Sequence, residues 1–309
     1  MKKKLLISFL TLFMTLNIST AANANTNNKE KYSKLTTQIS ESISEIYISD
    51  EDKLNAINNP ISTYNLSEDS FYEKYPDIYE SKTSASNESE KVSISTLSTS
   101  GFKQLKNSFE FFPSSTIENY GGNQMRHGTY MQNTGCGAVA AGNMLAYDAK
   151  YYGRTKLYNK AWTSSGYYDY EQAIFDNYFN GPTLISKMKT NVPLYAKNNG
   201  NYSYNYKSIE NIVDPHGSFF IALKNSIKNA IDNEYPVALM FGPNWSNSYS
   251  DSLARPDLAN HWVVVTGYNP NDTEQITIST WGEEEVVDLW YLIRSKSFID
   301  QIYFTWPES

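Results

Sequence analysis

Residues 134–147 read TGCGAVAAGNMLAY and contain Cys136, the only cysteine of this 309-residue chain. The cysteine lies between two glycines, directly before an alanine-rich stretch that predicts a helix over residues 137–152. A thiol in the first turn of a helix lies near unpaired backbone N–H groups and the positive end of the helix dipole. Both favour the thiolate, the nucleophilic form of cysteine. We therefore expect Cys136 to be a reactive residue.

The composition excludes several classes of protein. The net charge of −7 provides no basic field for nucleic acid. A single cysteine permits neither a disulfide framework nor a multi-thiolate zinc site, and no cluster of His, Asp and Glu has metal-ligand spacing. We expect a monomer with no cofactor and no bound metal.

The first 24 residues have the form of a secretory signal. Residues 2–4 are all lysine, residues 5–16 form a short apolar run, and residues 22–24 read ANA, a typical cleavage site. The run is too short to span a bilayer comfortably, and no apolar segment lies near the C-terminus. The pattern predicts a secreted protein without a stable membrane anchor, at most loosely associated with the cell surface.

Residues 25–100 differ in composition from the rest of the mature chain, because they lack Gly and Trp and are rich in polar residues. Residues 82–100 are Ser-rich and predict a flexible linker. The segment is either a disordered spacer or a propeptide that docks through its aromatic cluster at residues 72–78. We favour a propeptide, which would inhibit its own enzyme until it is cut off. The predicted divisions are signal peptide 1–24, propeptide and linker 25–100, and folded domain 101–309.

The folded domain predicts helices first and strands afterwards. Further helices are expected over residues 171–179 and 219–231, and residues 198–206 alternate Tyr with polar residues, as in an exposed strand or loop. The predicted strands are residues 237–241, 261–268, 275–280, 286–293 and 301–305. This order indicates an α+β fold with an antiparallel sheet.

A nucleophilic thiolate requires an imidazole to take its proton, and the chain has three histidines. His261 opens the apolar strand HWVVVTGY, where a sheet would hold it in place. His127 and His216 lie beside glycines in turn-like contexts and resemble surface loop residues. We predict His261 as the base.

The segments GCGAVAAGNMLAY, NHWVVVTGYN and ISTWGE together resemble the papain-like cysteine peptidases, in particular the bacterial subgroup related to bacteriocin-processing peptidases. They occur in the family's order and cover about residues 132–291. The resemblance implies a papain-like fold in which the helix carrying the nucleophile packs on a C-terminal antiparallel sheet. It also implies Cys136 as nucleophile and His261 as base. Their separation of 125 residues is slightly below the roughly 130–150 of papain-type chains.

In this family the oxyanion is bound by a glutamine a few residues before the cysteine and by the cysteine's own N–H group. Gln132 is the natural match, although it precedes Cys136 by four residues rather than the usual five or six. Asn133 and Gln124 remain competitors. The alternative is that Gln132 is a loop amide that caps the helix.

The third catalytic group departs from the family pattern. The family places Asn or Asp before Trp-Gly, whereas Ser279 and Thr280 precede Trp281 here. A hydroxyl can accept the imidazole N–H but stabilises an imidazolium less than a carboxylate does, and Trp281 would cover that bond from water. Either the enzyme works as a Cys–His dyad, or an acidic residue such as Asp272 or Asp288 arrives from elsewhere.

The predicted function is a secreted thiol endopeptidase that acts on polypeptides and is made as a zymogen. One alternative is a cell-wall peptidoglycan amidase or endopeptidase of the NlpC or CHAP type, although the residues around Cys136 do not match those motifs. The other is an inactive secreted binding protein of the same fold. It is motivated by the hydroxyl residues at 279–280 and the Tyr-rich stretch 202–206.

Overall fold

The computed structural model describes residues 99, 101–111, 119–212, 218–242, 255–272, 274–294, 296 and 299–306. The predicted signal peptide lies outside these residues, as does the predicted propeptide and linker apart from residue 99. The division of the chain at residues 24 and 100 therefore stays a prediction.

The described residues form both helices and strands. The helices are α1 Thr129–Thr134, α2 Cys136–Tyr151, α3 Ser164–Ile174, α4 Ile185–Gly200, α5 Ser218–Asp232 and α6 Leu289–Arg294. The strands are β1 Lys103–Gln104, β2 Asn205–Ile212, β3 Val237–Phe241, β4 His261–Tyr268, β5 Gln275–Thr280, β6 Glu283–Asp288 and β7 Ile299–Thr305. None of the described helices is long and apolar enough to cross a membrane.

The strands form one antiparallel sheet in the order β2-β7-β3-β4-β5-β6. The short β1 pairs with the end of β4, where Lys103 lies opposite Tyr268. Most of the helical part precedes the sheet strands in sequence, and α2 packs against β4. The predicted α+β class, with the helix that carries Cys136 on an antiparallel sheet, is confirmed.

Helix α2 lies inside the domain rather than on its surface. Its residues 137–149 are all buried, and many of them are Gly or Ala, which lets neighbouring elements approach the helix backbone closely. A Cβ on Gly137 would lie 2.3 Å from the Cβ of Thr183, so this approach requires glycine. Trp262 of β4 donates its indole N–H to the Thr183 carbonyl at 2.7 Å. The first turn of α2 is thus held between the sheet and the segment before α4.

The prediction of an exposed strand or loop over residues 198–206 is wrong in its first part. Helix α4 continues to Gly200 and ends at Asn201, which has a positive φ of 55°, and β2 begins only at Asn205. Ile185, Met188 and Val192 of α4 are buried at helical spacing. Asn- and Lys-rich exposed positions and an internal proline obscure that periodicity in the sequence.

Two other boundaries differ from the expectation. Helix α3 begins at Ser164, seven residues before the predicted start, because the Thr163 hydroxyl caps it by accepting from the Gly166 N–H. It continues as a π-helical turn, Phe175–Phe179. The strand expected over residues 286–293 ends at Asp288, and α6 begins at the next residue.

Candidate active site

Cys136 is the first residue of α2, directly after a sharp junction with α1. Gly135 forms this junction, and a Cβ at that position would lie 2.5 Å from the Met131 carbonyl oxygen. The backbone N–H groups of Cys136, Gly137 and Trp262 point toward the sulfur and favour its ionised form. The sequence therefore places the thiol at a helix N-terminus, and the fold adds an N–H group from the sheet.

The influence of these N–H groups on the pKa of the Cys136 thiol is smaller than that of burial. The side chain is half-buried, and burial of its sulfur outweighs the three backbone donors and raises the pKa of the thiol. The helix N-terminus thus favours the thiolate, as expected from the sequence, but desolvation is the larger effect on the pKa.

His261 opens β4 and is 7% exposed. Its Nε2 lies 2.9 Å from Oγ1 of Thr280, within hydrogen-bonding distance. Strands β4 and β5 are antiparallel neighbours, so Thr280, the last residue of β5, lies near the first residue of β4. The bond to Thr280 leaves Nδ1 as the ring nitrogen available to other partners.

Trp281 stacks on the His261 ring, with centroids 4.7 Å apart and planes 16° from parallel. Trp281 and Gly282 both have positive φ, 48° and 82°, as a two-residue type I′ hairpin between β5 and β6 requires. This conformation costs a tryptophan roughly 1–3 kcal/mol. The strained turn places the indole over the imidazole, as the sequence predicted.

Ser279 and Thr280, predicted together as candidates for the third group, bond to different partners. The Ser279 hydroxyl donates to the Tyr120 carbonyl, whereas Thr280 reaches His261. Successive side chains of a strand point to opposite faces, so only one of the two can bond to the imidazole. Thr280 is that residue, and Ser279 ties the segment before α1 to the sheet.

The carboxylates considered as substitutes lie at the far end of the strands. Asp272 is in the β4–β5 turn, where it accepts from the Glu274 N–H, and Asp288 pairs with Gln275. His261 is at the opposite end of β4, about seven residues away at roughly 3.3 Å per residue. Neither carboxylate can reach the imidazole from there.

The carboxylate that acts on His261 is one that the sequence did not single out. Burial lowers the pKa of His261 to about 4, while the charge of Asp257 favours the imidazolium and that of Arg255 opposes it. Arg255 binds both oxygens of Asp257, at 3.0 and 2.6 Å. Burial is the largest of these effects, and Arg255 offsets part of the Asp257 charge, so the pKa of His261 stays low.

The buried neutral His261 predicts a loss of stability in acid. Between pH of about 6.5, the usual pKa in an unfolded chain, and the pKa of about 4 in the folded one, only the unfolded chain binds the proton. The contribution of His261 to the free energy of unfolding should therefore fall as the pH falls through this window, by about 3 kcal/mol. Asp148 and Glu284, whose carboxyl pKa values are raised to about 7 by burial, act in the opposite direction in the wild type and in His261→Gln alike. Denaturant unfolding at both pH values should therefore show that the stability difference between the two proteins changes by this amount, and an equal pH response of both would contradict the prediction.

Two glutamines occupy different places near the cysteine. Gln124, in a short 3₁₀ turn before α1, is buried and lines the same small cavity as Cys136 and His261. Its Nε2 donates to the Gln132 carbonyl at 2.8 Å. Gln132, the predicted oxyanion residue, turns away and donates to the Met125 carbonyl at 2.9 Å. Gln132 does not line the cavity.

Buried polar residues of α2 and α3 contact the segment that carries Gln124 and hold it in place. Asn143 of α2 accepts from the Gly122 N–H at 3.0 Å and from the Tyr167 hydroxyl at 2.8 Å. The Glu171 carboxylate presses on Gly122, where a Cβ would lie 1.2 Å from its Oε1. Only glycine at position 122 therefore allows this approach.

His127 contacts the same buried Glu171 and is not a surface loop residue. It is 3% exposed, and its Nε2 and Nδ1 lie 3.1 Å from Glu171 and Gln172, respectively. Its ring stacks on Tyr168 at 4.3 Å. The expectation of surface exposure is wrong because α3 covers the turn. His216 lies outside the described residues.

The cavity that joins Cys136, His261, Gln124 and Thr280 is small. About 10 Å³ is open to the centres of water molecules, roughly the space of one water. Within the described ranges, no group of three or more His, Cys, Asp or Glu is arranged to hold a metal. What the cavity assembles is a thiol, an imidazole with a hydroxyl partner, and a carboxamide.

Comparison with known proteins identifies the family of the chain. No curated protein matches the chain. The sequence profile of the Peptidase_C39 like family matches residues 121–296, which is more than half of the chain and includes every residue of the cavity. The chain therefore belongs to the Peptidase_C39 like family of papain-like cysteine peptidases.

Proposed function

We propose that the protein is a secreted cysteine endopeptidase, made as a zymogen and related to the bacteriocin-processing subgroup. The observation that carries the proposal is the single cavity lined by Cys136, His261, Gln124 and Thr280. Each of these side chains supplies one of the groups that thiol-dependent acyl transfer needs.

In the proposed mechanism, the Cys136 sulfur attacks the scissile carbonyl carbon while its proton passes to Nδ1 of His261. The carbonyl oxygen becomes an oxyanion bound by the Cys136 backbone N–H and by Nε2 of Gln124. Collapse breaks the C–N bond, and the His261 imidazolium protonates the departing amine. His261 then takes a proton from water, the hydroxide attacks the thioester, and the thiol leaves with that proton.

A neutral Cys136 thiol and a neutral His261 imidazole before substrate binds fit this sequence of steps. With the pKa of Cys136 raised and that of His261 lowered, proton transfer accompanies attack rather than preceding it. Thr280 accepts the Nε2 proton of His261 and thereby fixes the tautomer with a free Nδ1. The indole of Trp281 keeps water from this bond.

Replacement of Thr280 tests whether its hydroxyl is the third group. Thr280→Val keeps the shape but removes the acceptor, so kcat should fall by about tenfold, the value of a hydrogen bond of roughly 1–1.5 kcal/mol. Thr280→Asn, which restores an acceptor, should recover most of the rate. Steady-state kinetics on a fluorogenic peptide measures both. An unchanged kcat in Thr280→Val would mean that the enzyme works as a Cys–His dyad.

Replacement of the two glutamines tests which one binds the oxyanion. Gln124→Ala should lower kcat by about 10²- to 10³-fold, because a preorganised donor is lost. Gln132→Ala is the matched control: it removes the same carboxamide from a position outside the cavity, and its kcat should change far less. The reverse order of effects would return the role to Gln132.

The function itself is tested with the secreted protein. We expect hydrolysis of casein and covalent labelling by an epoxide inhibitor of thiol peptidases, both absent in Cys136→Ala. Zymography on purified peptidoglycan should show no clearing; clearing without caseinolysis would instead identify a cell-wall hydrolase.

The N-terminus of the secreted form tests whether the enzyme is made as a zymogen. An N-terminus near residue 100 would support the zymogen, and one at residue 25 in the active enzyme would contradict it.

A further inference from the structure

A second cavity lies between the end of α3 with its π-helical turn and the outer face of α4. Its volume is about 490 Å³, which falls in the roughly 300–1,000 Å³ range of small-molecule sites. It shares no lining residue with the cavity around Cys136. The peptidase mechanism makes no use of it.

Three tyrosines form a rigid aromatic base for this groove. Tyr170 and Tyr195 are buried, and their hydroxyls donate to the carbonyls of Gly142 and Leu157 at 3.3 and 3.0 Å. Tyr178 is half-buried and meets Tyr195 edge to face, with centroids 5.0 Å apart. Tyr170 and Tyr195 thus hold the base of the groove in place, and Tyr178 is the ring that keeps part of its apolar surface exposed.

Asparagine carboxamides form the walls. The five are Asn159, Asn177, Asn191, Asn198 and Asn199. Four of them donate side-chain N–H groups to the protein. Asn177, Asn191 and Asn198 each donate one, and Asn199 donates both, to the Tyr195 carbonyl at 2.9 Å and to the Tyr178 hydroxyl at 3.3 Å. These bonds orient the amides, whose carbonyl oxygens can accept from a ligand, while the first three each keep one N–H that can donate to it.

The groove differs from the rest of the protein in charge. The chain carries 33 acidic residues against 26 basic ones, yet no carboxylate lines the groove, and its single charged side chain is the exposed Lys160. Leu194, 42% exposed, is the only aliphatic side chain larger than alanine in the lining. A peptide partner would need apolar anchor pockets that are not found here.

We propose that this Asn- and Tyr-lined groove binds a neutral oligosaccharide. A sugar ring presents hydroxyls that both donate and accept, which the oriented carboxamides match, and a C–H face that can pack on the partly exposed ring of Tyr178. Lys160 at the rim adds a donor for a hydroxyl. The site would hold the secreted enzyme on glycan-bearing surfaces without taking part in hydrolysis.

Isothermal titration of the full secreted chain with chitotetraose and with cellotetraose tests the proposal. Binding of either sugar supports it, and binding of neither overturns it. Titration with heparin, a polyanion, tests the alternative that the groove binds an anionic ligand. Binding of heparin without binding of the neutral sugars would also overturn the proposal.

Two groove variants and one control locate the site. The double variant Asn177→Ala/Asn198→Ala removes two exposed carboxamides, and Ala173→Arg fills the space above the rings; each should weaken binding by about tenfold or more. Asn225→Ala, an exposed asparagine on α5 outside the groove, should bind like the wild type. Circular dichroism checks folding. Undiminished binding in both groove variants would overturn the assignment.

Caseinolysis by the same variants separates this proposal from the peptidase proposal. The groove variants should keep the wild-type rate, because no groove residue lines the cavity around Cys136. If the protein binds the sugar but has no peptidase activity, the sugar-binding proposal is supported and only the proposed peptidase function is refuted.

Discussion

Cys136→Ala is expected to lower kcat/KM on a fluorogenic peptide by about 10⁴-fold or more, to the level of background hydrolysis. The variant lacks the only thiol of the chain, and no other nucleophile lines the cavity beside His261 except the hydroxyls of Ser279 and Thr280. Both of these hydroxyls are engaged, one with a carbonyl and one with the imidazole. They cannot replace the sulfur.

Cys136→Ser sharpens this expectation. A serine at the same place meets the same N–H groups, but its hydroxyl is far less acidic than a thiol, and the neutral buried His261 is a weak base. Its kcat/KM should therefore also fall to near background. Activity above about one hundredth of the wild-type value in either variant would contradict a thiol mechanism. Unfolding by denaturant should show that both variants are folded.

His261→Ala is expected to lower kcat by about 10³- to 10⁴-fold, because the only imidazole lining the cavity takes the thiol proton and returns it to the leaving amine. With the ring gone, the Cys136 thiol keeps its raised pKa from burial and has no acceptor for its proton. Single-turnover kinetics should show that acylation itself is slowed.

Two measurements distinguish a lost base from a damaged fold. Alkylation of Cys136 by iodoacetamide should persist in His261→Ala at high pH, where the thiol ionises without help. Added imidazole should restore part of the peptidase rate by filling the space under Trp281. Loss of alkylation together with no rescue would indicate that His261 is mainly structural.

Local patterns predicted the elements that carry the chemistry. Two examples are the Ala-rich stretch after Cys136 and the apolar run after His261. Each forms one element that is buried on several sides, and the predicted bounds of both elements agree with the structure to within one residue. Helix α4 was missed because its exposed face is rich in Asn and Lys and its buried face is sparse. Periodicity reports burial only where the buried residues dominate the segment.

The sequence by itself indicated a cysteine peptidase, since the segments around Cys136, His261 and Trp281 together resemble that family. Only the tertiary structure decided that Gln124 rather than Gln132 lines the cavity and that Thr280 rather than Ser279 holds the imidazole. Burial in the fold also raises the pKa of Cys136 and lowers that of His261. These outcomes depend on desolvation and on how segments pack on one another, as in the bond between Ser279 and Tyr120, 159 residues apart, and neither is encoded in local side-chain order.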